Sequence, residues 1–357
     1  MSGHEILIAV FAGFAALGAL DRILGNRFGL GKEFEEGILA MGSLAMAMIG
    51  IITLAPVLAN LLRPVVVPVF SILGADAAMF AGSILACDMG GGALAVELAE
   101  SYDAAMLGGV LTGSMLGATL VFTIPVAMGI LREEDRPAMA KGILCGIVTI
   151  PVGVLAGGIV AGFEVGMVLR NLLPIVLIGV LIALGLWKAE KAMVRGFAVF
   201  GKFVVALVTA GLAAAIVEAL TGFRLIPGMA PISEGFETVG AIAIVLAGAF
   251  PLVFVLTKLL RKPLTAVGRR LGINDAAAAG LIASLANSIA TFGMVEQMDQ
   301  RGKVVNIAFA VSAAFVFGDH LGFAAGFAPE MLPAMIVGKL AGGISAVMVA
   351  MWMTREK

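Results

Sequence analysis

Long runs without charge constrain the fold of this chain more than any other feature. Residues 37–62, 104–131, 142–163, 238–257 and 276–295 contain no Asp, Glu, Lys or Arg. A membrane-spanning helix needs roughly 20 mostly apolar residues, so each run is long enough to cross a bilayer. Charged residues make up 13% of the 357 residues, whereas soluble domains carry about 25%. The sequence therefore predicts an all-α, polytopic integral membrane protein.

The hydrophobic segments follow one another with short loops, which predicts about 11 transmembrane segments and no separate soluble domain. An internal repeat is also expected. Phe34-Glu35 recurs as Phe236-Glu237, and residues 81–86 (A-G-S-I-L-A) resemble residues 279–284 (A-G-L-I-A-S). The matches predict a two-fold repeat within one membrane domain. Its parts would be a first helical repeat (1–165), a connecting transmembrane helix (166–187) and a second helical repeat (188–357). One connecting helix makes the halves parallel, or inverted if a segment is re-entrant.

Three ionisable residues interrupt apolar segments. Asp88 lies in S-I-L-A-C-D-M-G-G-G, and Asp319 and His320 lie in A-F-V-F-G-D-H-L-G-F-A-A. A charge at membrane depth costs several kcal/mol unless it is paired or hydrated, and such residues commonly mark a binding or translocation site. The structural alternatives are a carboxylate that caps a broken helix at Asp88 and an interhelical hydrogen bond at Asp319-His320.

Glycines beside these residues predict broken helices at the site. Gly90 and Gly91 follow Asp88, and Gly318 precedes Asp319. Glycine lets the backbone leave helical geometry, which frees carbonyl groups that can coordinate a cation. Gly109, Gly113 and Gly117 form a stripe with a spacing of four, which indicates close helix packing rather than a site.

A polar face near residue 290 adds neutral candidates. Asn287, with Ser288 and Thr291, could either join helices or offer hydrogen bonds to a hydroxyl group. Phe292 could form an aromatic wall for a cationic ligand, as could Phe317 or Phe323.

Other classes of function are disfavoured by the sequence. The net charge is −1, which gives no electrostatic basis for binding nucleic acid. No G-x-x-x-x-G-K-[ST] motif is present, so direct use of ATP is not expected. Cys87 and Cys145 form no metal or disulfide pattern, and no cofactor is predicted. A membrane-embedded di-aspartate hydrolase is an alternative, but Val316 occupies the first glycine position of its G-x-G-D signature.

Several motifs carry a resemblance to a known family. The runs F-E-E-G-I-L-A-M-G-S-L-A-M-A-M, M-F-A-G-S-I-L-A-C-D-M-G-G, M-D-Q-R-G-K-V-V-N and G-D-H-L-G-F-A-A resemble the EutH ethanolamine transport proteins. The resemblance covers nearly the whole chain. It implies a multi-pass protein of the bacterial cytoplasmic (inner) membrane that admits ethanolamine, not an enzyme. It also implies a metabolic link, without direct binding, to ethanolamine ammonia-lyase.

The chemistry of ethanolamine agrees with the candidate residues. A primary amine with a pKa near 10 is cationic at neutral pH, so its ammonium group needs a carboxylate, such as Asp88 or Asp319. Its hydroxyl group needs a donor and acceptor, such as Asn287 or His320. The motifs leave open another small amine or polyol, the choice of channel or carrier, ion coupling and a homo-oligomeric state. Lipid is the expected surrounding partner.

Overall fold

A computed structural model describes residues 3–355, apart from the side chains of Trp187, Glu190, Val194, Arg269 and residues 260–267. All regular secondary structure in this part of the chain is helical, as predicted. The helices are α1 (Gly3–Ile23), α2 (Leu30–Ile72), α3 (Ala78–Ile84), α4 (Gly91–Leu98), α5 (Tyr102–Ile130), α6 (Glu133–Val160), α7 (Val165–Leu186), α8 (Lys191–Thr221), α9 (Ile232–Arg270), α10 (Asp275–Ala286), α11 (Ser288–Met294), α12 (Gln300–Ala313), α13 (Asp319–Phe327) and α14 (Leu332–Met353).

Eight of the described helices are long and apolar enough to cross a membrane: α1, α2, α5 to α9, and α14. The protein is therefore polytopic, but the expected count of eleven spans is not confirmed. The remaining three hydrophobic segments are each interrupted, as α3 with α4, α10 with α11, and α12 with α13. Hydrophobicity alone cannot distinguish a continuous helix from an interrupted one, because both remove the same side chains from water.

Contacts between distant segments define two ends of the molecule. At the N-terminal end, Gly3 packs beside Pro333, and the Tyr102 hydroxyl donates to the Glu330 carboxylate. At the C-terminal end, Lys141 Nζ donates to the Met353 carbonyl oxygen at 2.8 Å. Helices α5, α6 and α14 each run from one end to the other, and α12 with α13 does so across its interruption.

Helices α3 and α4 form a hairpin, hereafter hairpin 1 (residues 78–98), that enters and leaves at the N-terminal end. Asp76, just before α3, accepts hydrogen bonds from the backbone N–H of Ala78 at 2.8 Å and of Glu100 at 3.0 Å. Arg63 of α2 donates to the Glu97 carbonyl oxygen at 2.5 Å. The two ends of the hairpin are thereby held together, so this segment does not span the molecule.

Helices α10 and α11 form hairpin 2 (residues 275–294), which opens at the C-terminal end. Asn274, just before α10, donates its backbone N–H to Asp299 at 2.8 Å and its side-chain amide to the Gln297 carbonyl at 2.8 Å. Thr291 of α11 donates to the Gly280 carbonyl of α10 at 2.9 Å. The hairpins therefore enter from opposite ends, and each contains one of the sequence segments expected to repeat. The repeat with the boundaries given above stays a prediction.

Glycines allow hairpin 1 to lie against α5. A side chain at Gly109 would meet Gly92, one at Gly113 would meet the Cys87 backbone, and one at Gly117 would meet the Leu85 carbonyl. The predicted packing role of this stripe is confirmed. Helix α5 is π-helical over Leu107–Gly117. A π-helical segment displaces backbone groups from the usual helical register and is frequent at functional sites.

A buried ion pair joins the start of α6 to α12. Lys303 Nζ lies 2.5 Å from Asp135 Oδ1, and the two side chains are 9% and 2% exposed. Removing one partner of such a pair leaves an uncompensated charge away from water. The pair therefore fixes the first turns of two core helices, α6 and α12, against each other.

Lys303→Met should reduce the free energy of unfolding by about 3–5 kcal/mol, because Asp135 is left buried and unpaired. Thermal or denaturant unfolding in detergent measures the loss. Lys32→Met is the control, since Lys32 pairs with Glu36 at 3.6 Å on an exposed surface and should contribute about 0–1 kcal/mol. Equal losses in the two variants would contradict a structural role for the buried pair.

Candidate functional site

The turn of hairpin 1 places Asp88 inside the protein. Helix α3 ends at Ile84, and Leu85 and Ala86 are extended before a short 3-10 turn over Cys87–Met89. Gly90 then has φ 96°, a left-handed conformation that glycine adopts without strain. The N–H of Gly91 donates to the Ala86 carbonyl at 2.8 Å, which closes the turn. The chain therefore leaves helical geometry between α3 and α4, and α4 begins at Gly91.

A second break lies between α12 and α13, next to hairpin 2. The Phe315 N–H donates to the Ser284 carbonyl at 3.1 Å, and the Phe317 N–H donates to the Leu285 carbonyl at 2.8 Å. The end of α10 thus receives hydrogen bonds from the unwound segment 314–318 instead of from its own next turn. Gly318 packs against the Ala286 carbonyl, where a side chain would not fit. The helical path from α12 to α13 is therefore interrupted up to Gly318, the residue before α13.

These two breaks bring together three of the predicted site residues. His320 Nε2 lies 3.8 Å from Asp88 Oδ1, and the two side chains are 4% and 16% exposed. Asp319 opens α13 and interacts electrostatically with Asp88. His320 Nδ1 is buried and has no hydrogen-bond partner among the described residues. Two acids and an imidazole therefore meet in a low-dielectric interior, where electrostatic interactions are stronger than in water.

Asp88, Asp319 and His320 line a cavity of about 620 Å³, hereafter the central cavity. Its wall includes Ser43 of α2 and Lys202 of α8. Most other lining residues are apolar, as is common for a small-molecule site with a few polar groups. They are Leu44, Ala47, Ala86, Met89, Ala118, Val121, Phe122, Pro125, Val126, Ala198, Gly201, Val205 and Phe315.

An aromatic pair forms one wall of the central cavity. Phe122 and Phe315 make an edge-to-face contact with ring centroids 5.3 Å apart, and Phe315 lies 5.2 Å from the His320 ring. Phe315 has φ 63°, a conformation rarely adopted by a bulky residue and often found at functional sites. The aromatic wall expected from Phe292 is therefore provided by different rings. Phe292 is 2% exposed in hairpin 2 and lines neither described cavity that contains Asp319.

Asn287 lies apart from Asp88, at the tip of hairpin 2. Its side-chain oxygen accepts from the Ile289 N–H at 2.7 Å and so caps α11. It also lines a second cavity of about 400 Å³, which includes Asp319 and residues from α2 and α9. Asp319 thus borders both cavities, whereas Asn287 and Asp88 do not share one.

Lys339 is a charged residue of the site that the sequence reasoning missed. It is 1% exposed, donates to the Ser114 carbonyl of the π-helical segment at 2.6 Å, and interacts electrostatically with Asp88. Its signal was present in the sequence, because Lys339 is the one charged residue between Glu330 and Arg355. An isolated lysine in an apolar run has the same cost of burial, and the same tendency to mark a site, as an isolated acid.

Three side chains of the site carry donor atoms of the kinds that bind transition metals. Cys87, Asp88 and His320 each offer one ligand atom, and these atoms lie within 4.8 Å of one another. Thiolate, imidazole and carboxylate are ligands that zinc uses. The same carboxylate and imidazole can instead bind an organic cation that carries a hydroxyl group, which needs no thiolate.

Sequence comparison relates this chain to one protein family over nearly its whole length. The family model described as "Ethanolamine utilisation protein, EutH" matches residues 4–353. The chain belongs to the EutH family. It is 59% identical to the "Probable ethanolamine permease EutH" of Listeria monocytogenes, covering 100% of this chain and 95% of that protein. It is 48% identical to the "Probable ethanolamine permease EutH" of Escherichia coli, covering 100% and 97%. The EutH chain matches no solved structure.

Gly90→Ala should destabilise this EutH protein more than Gly74→Ala. Both glycines have positive φ, 96° and 68°, so both substitutions introduce backbone strain. A side chain at Gly90 would also meet Ile51, whereas Gly74 has open space around it. We expect a further loss of about 1–3 kcal/mol for Gly90→Ala from overpacking, measured by unfolding in detergent. Equal stability of the two variants would show that the turn tolerates displacement from α2.

Proposed function

We propose that this protein carries ethanolamine across the bacterial cytoplasmic membrane by facilitated diffusion or secondary transport. The observation that carries the proposal is the convergence of Asp88, Asp319 and His320 on the central cavity. The permease names of its relatives support the same substrate. This function makes the protein a transporter rather than an enzyme.

The carboxylates of Asp88 and Asp319 serve the ammonium group in this proposal. Charge-assisted hydrogen bonds are roughly twice as strong as neutral ones, and a cation entering the cavity replaces part of the water that the acids lose on burial. His320 offers a donor or an acceptor to the hydroxyl group, according to its tautomer. Lys339 offsets one acid and keeps the site from binding the cargo too tightly for release.

Helix ends contribute to the same preference for a cation. The C-terminal end of α10 carries a partial negative charge, and it lies beside the break that precedes Asp319. Repeat-built transporters place discontinuous helices around a central site in this manner. We infer that the hairpins, entering from opposite ends, are equivalent parts of an inverted repeat, and that each controls access from its own end.

The other functions have less support. A di-aspartate hydrolase would need Asp88 and Asp319 to activate water toward a peptide, and the relatives carry permease names instead. A different small amine would satisfy the same carboxylates, whereas a neutral polyol would not balance their charge. Ethanolamine is preferred because it combines an ammonium group with one hydroxyl group.

Reconstituted protein should take up labelled ethanolamine down its gradient, and Asp88→Asn should reduce uptake at low substrate by about 30-fold or more. Loss of a buried charged partner costs about 2–5 kcal/mol, and each 1.36 kcal/mol is tenfold. Asp319→Asn should have a similar effect. Asp275→Asn, an exposed acid at the start of α10, is the control and should transport normally. Uptake by both site variants at the wild-type rate would refute the site, and no uptake by wild type would refute the function.

Phe315→Leu should raise the KM for ethanolamine by about 2- to 30-fold, because a desolvated cation–π contact contributes about 0.5–2 kcal/mol. Phe292→Leu is the matched comparison. Since Phe292 is buried away from the central cavity, it should lower stability and leave KM unchanged. Initial uptake rates over a range of concentrations test both. A raised KM for Phe292→Leu alone would restore the aromatic wall expected from the sequence.

A further inference from the structure

The second cavity contains the components of another ammonium site. It has a volume of about 400 Å³ and is lined by Glu33 and Glu36 of α2, Phe254 of α9, and Asp319. Lys258 also lines it, and Lys258 Nζ lies 3.9 Å from the centroid of the Phe254 ring. A primary ammonium group of the chain itself therefore already rests on an aromatic face inside this cavity.

The contact between Lys258 and Phe254 is suited to exchange. The two residues are one helical turn apart, and the Lys258 side chain is exposed. A cation–π contact at an exposed position is weak, so a free ammonium ion of similar size can displace the tethered one. Lys32 and Lys258 both interact electrostatically with Glu33, so displacement of Lys258 leaves this acid with one lysine neighbour fewer and makes it more available to the incoming ion.

The position of the second cavity sets the order in which an entering ion would meet its residues. Phe254 packs against Gly29, in the loop between α1 and α2 at the C-terminal end. Asp319, at the inner limit of the cavity, is shared with the central cavity. An ammonium ion that enters here therefore meets Phe254 before it meets Asp319.

We propose that the second cavity is an ammonium-binding vestibule, in which ethanolamine or another small primary ammonium ion rests on Phe254 on its way to or from Asp319, and that Lys258 competes for this position. The inference rests on the proposed function, since it adds an outer step to the same path. It differs from that function in its residues, none of which except Asp319 lines the central cavity.

Cysteine labelling at Thr257, which lines the vestibule, tests the proposal. Full-length Thr257→Cys protein is treated with a methanethiosulfonate reagent that carries a primary ammonium group, with and without ethanolamine. The native cysteines, Cys87 and Cys145, are each 1% exposed, and unsubstituted protein measures their background. Ethylene glycol is the neutral control ligand, and Glu133→Cys, an exposed position at the same end, is the control site.

Ethanolamine should slow labelling of Thr257→Cys at least about twofold, whereas ethylene glycol should not. The concentration for half-protection should fall about two- to fivefold when Lys258→Met is added, and rise by a similar factor with Phe254→Leu, as expected for an exposed cation–π contact. Labelling of Glu133→Cys should be unchanged by ethanolamine. These results together would establish a site for the ammonium group and the competition by Lys258.

Two outcomes overturn the vestibule. One is labelling at Thr257→Cys that ethanolamine does not slow, although liposomes containing the protein take ethanolamine up. The other is the same half-protection concentration with and without Lys258→Met and Phe254→Leu. If Thr257→Cys is protected as expected but wild-type protein moves no ethanolamine into liposomes, the vestibule stands and the transport function fails.

Discussion

The architecture depends on hydrogen-bond partners for the backbone groups that are exposed where helices are interrupted in the protein interior. An unpaired peptide group in an apolar interior costs several kcal/mol, so a broken helix needs a partner for its exposed end. Hairpin 2 finds that partner in segment 314–318, whose N–H groups bond to the carbonyls of Ser284 and Leu285. Hairpin 1 closes its own turn through Ala86 and Gly91. With their backbone groups satisfied in this way, the two breaks can bring polar groups to the centre of the protein, where continuous helices would keep their backbone groups paired internally.

Charges at the centre depend on the same breaks. Asp88 belongs to one turn, Asp319 and His320 follow the other, and Lys339 approaches from α14. Buried charges are tolerated when they are paired, and an excess of acid over base favours a cation. Lys339 interacts electrostatically with Asp88, and Lys202 also lines the central cavity. In the function that we propose, the ammonium group of the cargo shares the two carboxylates with these lysines.

Local patterns in the sequence predicted the helical membrane class, the glycine breaks, and Asp88, Asp319 and His320 as site candidates. Each is a property of a short segment, where glycine and an isolated charge have direct physical meaning. The hairpins were not predictable in the same way, because re-entry depends on contacts such as Asp76 with Glu100, across the hairpin. Phe292 was misleading as a wall residue for a similar reason. The sequence around a phenylalanine does not show whether its side chain faces a cavity or the interior of a hairpin. For Phe292, only the packing of α11 against α10 distinguishes the two positions.

Phe315 connects the shape of the site to the continuity of a helix. Its left-handed backbone holds about 1–3 kcal/mol of conformational energy, which would be released if segment 314–318 rejoined α12 to α13. The bond from the Phe315 N–H to hairpin 2 opposes that change. Withdrawal of the hairpin would therefore be coupled to rewinding of the segment, with a change in the pitch and direction of α13. The two hydrogen bonds to hairpin 2 therefore hold segment 314–318 in its unwound form, and with it the position of Asp319 at the start of α13.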